Sequence, residues 1–277
     1  MKSTSFTVPE RWGQVHSAQA RVPADLLVRE CRIINVYSGE IHPGDIAIKD
    51  GIFVAIRERY DGTAVVVMDG GGRFAVPGFV FSHGLPDSGR SPDPDQGQLG
   101  LTLGVTSVVG DLTAGPLESG VDLPQRQWTA TRLGLPPGSQ TPAVARNESE
   151  ALVSLRSGFP TFLQPGTGNA SIPEILGRLG RGGVDTGRAC LGRWNQELGG
   201  MPAGVLSVLD LMRDATSIGR SPVAACAMAT LNPAIIFGLD HRIGSITPGR
   251  FADFWLTESL GSPRPSAVFV DGKPAGP

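Results

Sequence analysis

Chemistry at a strand end needs a side chain with an electron pair to offer, placed where an apolar run stops. The stretch Pro77-Gly78-Phe79-Val80-Phe81-Ser82-His83-Gly84-Leu85-Pro86-Asp87 has that form: a Pro-Gly turn, an apolar strand, then an imidazole. Alternate strand residues share a face, so a second metal ligand beside His83 belongs two residues on. That position is Leu85, which binds no metal. The other histidines, His16, His42 and His241, fall in an N-terminal arm, in a loop of an early strand unit, and beside a late helix. Cys31, Cys190 and Cys226 are far apart and form no Cys-x-x-Cys. They read as reduced, buried thiols rather than a disulfide framework or a zinc knuckle. Gly70-Gly71-Gly72 follows a strand but opens no helix and precedes no Gly-Lys-Ser/Thr, so it reads as a turn. Arg178, Arg181 and Arg188 read as a solvated basic face.

The elements that must position these residues fall into three zones. Residues 1–23 are polar and mixed, a short helix or a loose arm. Residues 24–76 carry short β-rich runs, and Asp50-Gly51 between two alternating runs predicts a hairpin. The middle alternates. Residues 99–112 predict a helix end followed by a buried strand, and 113–145, rich in Pro, Gly, Gln and Thr, read as mostly loop. Residues 148–158 predict a helix with Gly158 at its C-terminal cap. A short strand in PTFLQPG follows, then a helix opened by a Ser171–Glu174 capping box. Further helices are predicted at 205–213 and 221–239, the last starting at Pro222 and meeting Pro233. The tail, from 243, returns to alternating strands with Gly-rich turns. The β-rich ends therefore enclose an α/β middle.

Bulk properties narrow the function. The chain has 277 residues, 40% hydrophobic and 18% charged, with a formal net charge of −2. It has no basic block, so nucleic acid and anionic membranes are not expected partners. No apolar run reaches the ~18 residues of a membrane span, and the N-terminus lacks the apolar core of a signal peptide, so a cytoplasmic protein is expected.

At the level of motifs, ADLLVRECRIINVYSGEI, GDIAIKDGIFVAI, DGGGRFAVPGFVFSH, MATLNPAIIFGL and IGSITPGRFADFWL together resemble the amidohydrolase superfamily, and within it the bacterial adenine deaminases. The resemblance rests on both ends of the chain and parts of the middle. It implies an α/β fold: a (β/α)8 (TIM-like) barrel plus a small β-sandwich built from both termini. It also implies a divalent ion (Mn, Fe or Zn) at the barrel strand ends and the reaction of adenine with water to give hypoxanthine and ammonia. In such a site the metal lowers the pKa of a bound water and a carboxylate moves protons.

Carried over residue by residue, the resemblance leaves a depleted site. His83 matches the first imidazole of a His-x-His pair, Leu85 replaces the second, and Phe81 replaces a preceding Asp. Asp87 stands for a following carboxylate. Asp111 survives from an Asp-Pro-His-Glu element whose His and Glu become Thr113 and Ala114. Two Asp positions further on become Asn195 and Gln196. An amide neither acts as a general base near pH 7 nor lends negative charge to a metal. The expected metal set is therefore a vestigial His83, Asp87 and Asp111, with no cofactor held. Asp87 and Asp111 have an ordinary alternative as caps of nearby amides, and Asn195 and Gln196 an alternative as readers of a purine edge. The signature of the other zinc nucleobase deaminases, His-x-Glu with Pro-Cys-x-x-Cys, is absent from the sequence.

The expected organisation is an arm at 1–23, a composite β-sandwich from 24–76 and 243–277, and a shortened barrel at 77–242. At ~31 residues per βα unit that span holds about five units, so an incomplete or rearranged barrel is expected. Three functions stay open: a homologue that no longer deaminates, an active hydrolase with a rebuilt or subunit-shared site, and a non-catalytic module. The last would bind a purine, another copy of the chain, or a homologous amidohydrolase subunit.

Overall fold

The computed structural model describes residues 8–83, 94–110, 125–129, 143–145, 147–158, 161–163, 171–191, 208–213 and 220–276. Asp87, Asp111, Asn195 and Gln196 lie outside them.

Strands from both ends of the chain join one eight-stranded sheet. It comprises β1 (Ala24–Asn35), β2 (Glu40–Lys49), β3 (Ile52–Arg57), β4 (Ala64–Asp69), β5 (Phe74–Pro77), β12 (Phe254–Thr257), β13 (Ala267–Val270) and β14 (Lys273–Gly276). The path runs β14-β13-β12-β5-β1-β2-β3, with β4 also on β1. A bulge lets β1 serve two partners. Glu30 takes a left-handed φ of 55° between Val28 and Cys31. Before it β1 runs parallel to β4, and after it parallel to β5. Buried Asp45 holds the bulge by accepting from Glu30 N and Tyr60 N, both at 3.0 Å, and from Arg29 Nη1 at 2.8 Å. The predicted hairpin is present: Asp50 and Gly51 have φ of 51° and 74°, the two positive values a tight type I′ turn requires. Gly71 and Gly72 likewise take positive φ between β4 and β5. Strands from both termini thus share one sheet, and it curls on itself. Ile52 bridges Phe251, just ahead of β12, and Phe53, Phe254 and Phe269 meet in its core, the last two stacked at 4.5 Å.

The middle holds two three-stranded parallel sheets. The first is β6 (Phe79–His83), β7 (Val105–Gly110) and β8 (Arg126–Thr129), in that order. The second is β9 (Ala143–Ala145), β10 (Thr161–Leu163) and β11 (Ala189–Cys190). Among the described residues no ladder joins the two. Strands β8 and β9 fall within 113–145, a stretch that reads as mostly loop. They exist through pairing with β7 and β10, and a four- or three-residue segment is too short to show a period of its own.

Helices α1 (Val8–Ala18), α2 (Pro94–Thr102), α3 (Glu148–Arg156), α4 (Ile172–Arg181), α5 (208–213), α6 (Pro222–Ala229) and α7 (Leu231–Ile236) complete the chain. The predicted helix over 221–239 is two helices. Pro233 has no N–H to give Ala229, and its ring would strike that carbonyl, so the chain breaks at Thr230 with φ −123° and ψ −79°. Alternate residues of the parallel strands enter different clusters. Phe79, Phe81, Val108, Leu163 and Ala189 pack with α3, α4 and α6. Val80, Val109, Trp128, Phe162 and Cys190 pack with α7 and Phe251. Both faces of the strands are therefore covered by apolar side chains.

Candidate functional site

Parallel pairing brings the ends of the first three middle strands level. His83 at the end of β6 pairs with Gly110 at the end of β7, and Gly110 pairs with Thr129 at the end of β8. The backbones of His83, Gly110 and Thr129 therefore share one sheet edge, with neighbouring strands ~4.8 Å apart. This is the C-terminal edge, where parallel α/β folds place their chemistry.

The other donors are dispersed. His16 lies beside Trp12 on α1, with ring centroids 5.5 Å apart and the planes tilted by 55°. His42 is a strand residue of β2 opposite Ile33, which corrects its expected loop position. His241 follows α7 and takes a 3.3 Å contact from Arg242 Nε. Cys190, in β11 opposite Phe162, is fully buried, and burial pushes its thiol far up. Burial likewise raises Cys31 and Cys226 to about 12. All three are neutral thiols near pH 7 and poor metal ligands or nucleophiles. Among the described residues no three His, Cys, Asp or Glu side chains come together.

Two sequence motifs have structural roles here. Asn232, in the Asn-Pro-Ala segment, donates from Nδ2 to Gly187 O at 2.9 Å and Ala189 O at 2.8 Å. It ties α7 to β11, a role that a three-residue motif cannot announce because its partners lie more than forty positions away. Of the basic face, Arg178 pairs with Glu148 at 3.0 Å and Arg188 donates to Gly158 O at 2.8 Å. Both are engaged in holding helices and loops together.

Comparison with known proteins fits this architecture. A family model described as the amidohydrolase family matches residues 192–275. Among solved structures, a molinate hydrolase superposes with a TM-score of 0.60 at 13% identity, covering 91% of this chain and 94% of that one. An enamidase of the amidohydrolase superfamily does so with 0.57 at 17% identity, covering 91% and 95%. The chain is thus amidohydrolase-like in fold and sequence. Its sequence places it nearer one branch. The adenine deaminase of Desulforamulus reducens is 25% identical over 352 aligned residues, covering 94% of this chain and 59% of the deaminase. Adenine deaminase 3 of Rhizobium meliloti is 26% identical with the same coverage. The chain resembles these adenine deaminases and spans 59% of the length of the two relatives. The alignments are longer than the 277-residue chain, so the relatives carry internal residues that it lacks.

Proposed function

We propose that this chain is a non-catalytic member of the adenine deaminase-like amidohydrolases, which has kept the scaffold and lost the deamination of adenine. The observation that carries this reading is the identity of the residues at the positions the resemblance assigns to chemistry. Leu85, Thr113, Ala114, Asn195 and Gln196 stand where imidazoles and carboxylates are called for. A divalent ion held by three or four donors would polarise water, yet His83 retains only Asp87 and Asp111 as companions. What remains suits binding: a purine at the strand edge, or a longer homologous subunit against the shortened middle.

The test is direct. The protein is purified from medium supplied with Mn, Fe and Zn, its metal content measured by mass spectrometry, and ammonia release from adenine followed. The expected result is well under one metal per chain and no ammonia above the blank. One tightly held metal per chain, with turnover that tracks its occupancy, overturns the reading. A rebuilt one-metal site is the second reading, and the level pairing of His83 with Gly110 favours it. It requires His83→Ala and Asp111→Asn each to abolish metal retention.

A further inference from the structure

We propose that a cleft between α1, β3 and the loop after α7 binds a small organic anion with a flat apolar body, at a site separate from the strand edge. The cleft encloses about 460 Å³ and is lined by Arg11, Gln14, Phe53, His241, Arg242 and Phe251, among others. Among the described residues its lining includes two arginines and a histidine.

The α1 wall has an unusual composition for its place. Its lining residues fall at 11, 14, 15 and 18, one face of a helix. On that face Arg11 and Val15 stay exposed, while Gln14 is partly covered. Gln14 Nε2 is buried without a hydrogen-bond partner. Among the described residues Arg11 has no carboxylate partner. A buried amide donor and, on the same face, a guanidinium with no carboxylate partner among the described residues are what an incoming oxyanion satisfies.

The opposite wall supplies more donors and is held firmly. Arg242 Nε donates to His241 Nε2 at 3.3 Å, which leaves the proton of a neutral His241 on Nδ1. The loop is stapled to β3 by Gly249 N to Phe53 O at 2.8 Å and Phe53 N to Arg250 O at 2.9 Å. The far end of α1 is fixed by the Tyr60 hydroxyl on Ser17 O and by Arg57 Nη2 on Ala18 O at 3.1 Å. Phe53 and Phe251 are largely buried and give the floor an aromatic, apolar character. Cationic walls above such a floor select a ligand with a carboxylate or phosphate head and a planar body.

Calorimetric titration of the full chain at low salt tests this with four probes: 1-naphthoate, 1-naphthyl phosphate, neutral 1-naphthalenemethanol and inorganic phosphate. At least one aryl anion binds with Kd of ~0.1–1 mM, while the alcohol and inorganic phosphate bind about tenfold more weakly. The tighter of the two aryl anions assigns the head group. Arg11→Gln and Arg242→Gln each weaken that binding about tenfold, while Arg156→Gln on α3 leaves it unchanged. Arg11→Gln keeps a good helix former on an exposed position, so it carries the test should Arg242→Gln fail to fold. Absence of binding by both aryl anions, equal binding of the alcohol, or full retention in Arg11→Gln rejects the site.

Discussion

Asn232 sits inside the segment that carries much of the family resemblance, and its visible work is to tether. Its amide bridges the carbonyls of Gly187 and Ala189 and so fixes where α7 meets the start of β11. Alanine leaves both carbonyls without that donor, and aspartate sets a carboxylate against them. Asn232→Ala is therefore expected to cost about 1–3 kcal/mol and Asn232→Asp more at neutral pH, read as lowered urea midpoints with an unchanged slope. A wild-type midpoint for Asn232→Ala would remove the tether from the account. At this scale the sequence is informative about chemistry and silent about partners. Leu85, Asn195 and Gln196 can be read as non-ligands from their side chains alone. The two carbonyls that Asn232 serves are brought to it by folding, and no local pattern points to them.

Among the elements, α4 shows what local sequence does specify. Ser171 and Glu174 close a capping box, with Glu174 Oε2 accepting from Ser171 N at 2.8 Å. That backbone hydrogen bond, helped by the Ser171 hydroxyl and by Arg178, holds the Glu174 carboxyl below its ordinary value. A depressed folded-state pKa contributes stability that is present above the unfolded carboxylate pKa and is lost as pH falls through the folded value. Glu174→Gln keeps an acceptor for Ser171 N but cannot titrate. Urea midpoints of parent and variant should therefore differ at pH 7, with the parent higher, and draw together as pH falls through the carboxylate range; a gap that does not shrink on acidification contradicts this origin. Both residues of the box lie within four positions, as do Asp50 and Gly51 of the β2–β3 turn, so each is legible before folding. The N-terminal helix is legible only in part, because the cleft that its Arg11 and Gln14 line is completed by the loop after α7. Strands β8 and β9 are illegible, since their extended form comes from neighbours on either side. The break at Thr230 lies between: Pro233 announces it, but where the chain bends depends on Asn232 catching β11.

Across the whole molecule, Trp255 joins the two ends of the chain to the middle. It belongs to β12 yet is fully buried in the cluster that holds Ile34, Val76 and Val268 of the curled sheet and Phe79, Val105 and Leu163 of the parallel strands. Its ring meets Phe79 edge-on, with centroids 5.4 Å apart at 71°. Gly104 approaches so closely that an added Cβ would lie 2.9 Å from the indole nitrogen. Backbone bonds run alongside, Gly78 N to Asp253 O at 3.0 Å and Phe79 N to Gly104 O at 2.9 Å. A core shared in this way makes independent unfolding of sheet and middle costly, because either part alone would expose the other's apolar face. Trp255→Ala is expected to cost about 3–5 kcal/mol. Trp255→Phe costs less, because it also removes an indole N–H that is buried without a partner. The three thiols provide regional probes: Cys31 reports on the sheet core, Cys226 on the helix-packed face and Cys190 on the α7 face. Pulsed thiol labelling across a urea series should expose all three over one range in the parent. Trp255→Ala should move all three midpoints down together. A Cys31 midpoint that stays in place while those of Cys190 and Cys226 fall would mean that the curled sheet stands alone and that Trp255 stabilises only its neighbour.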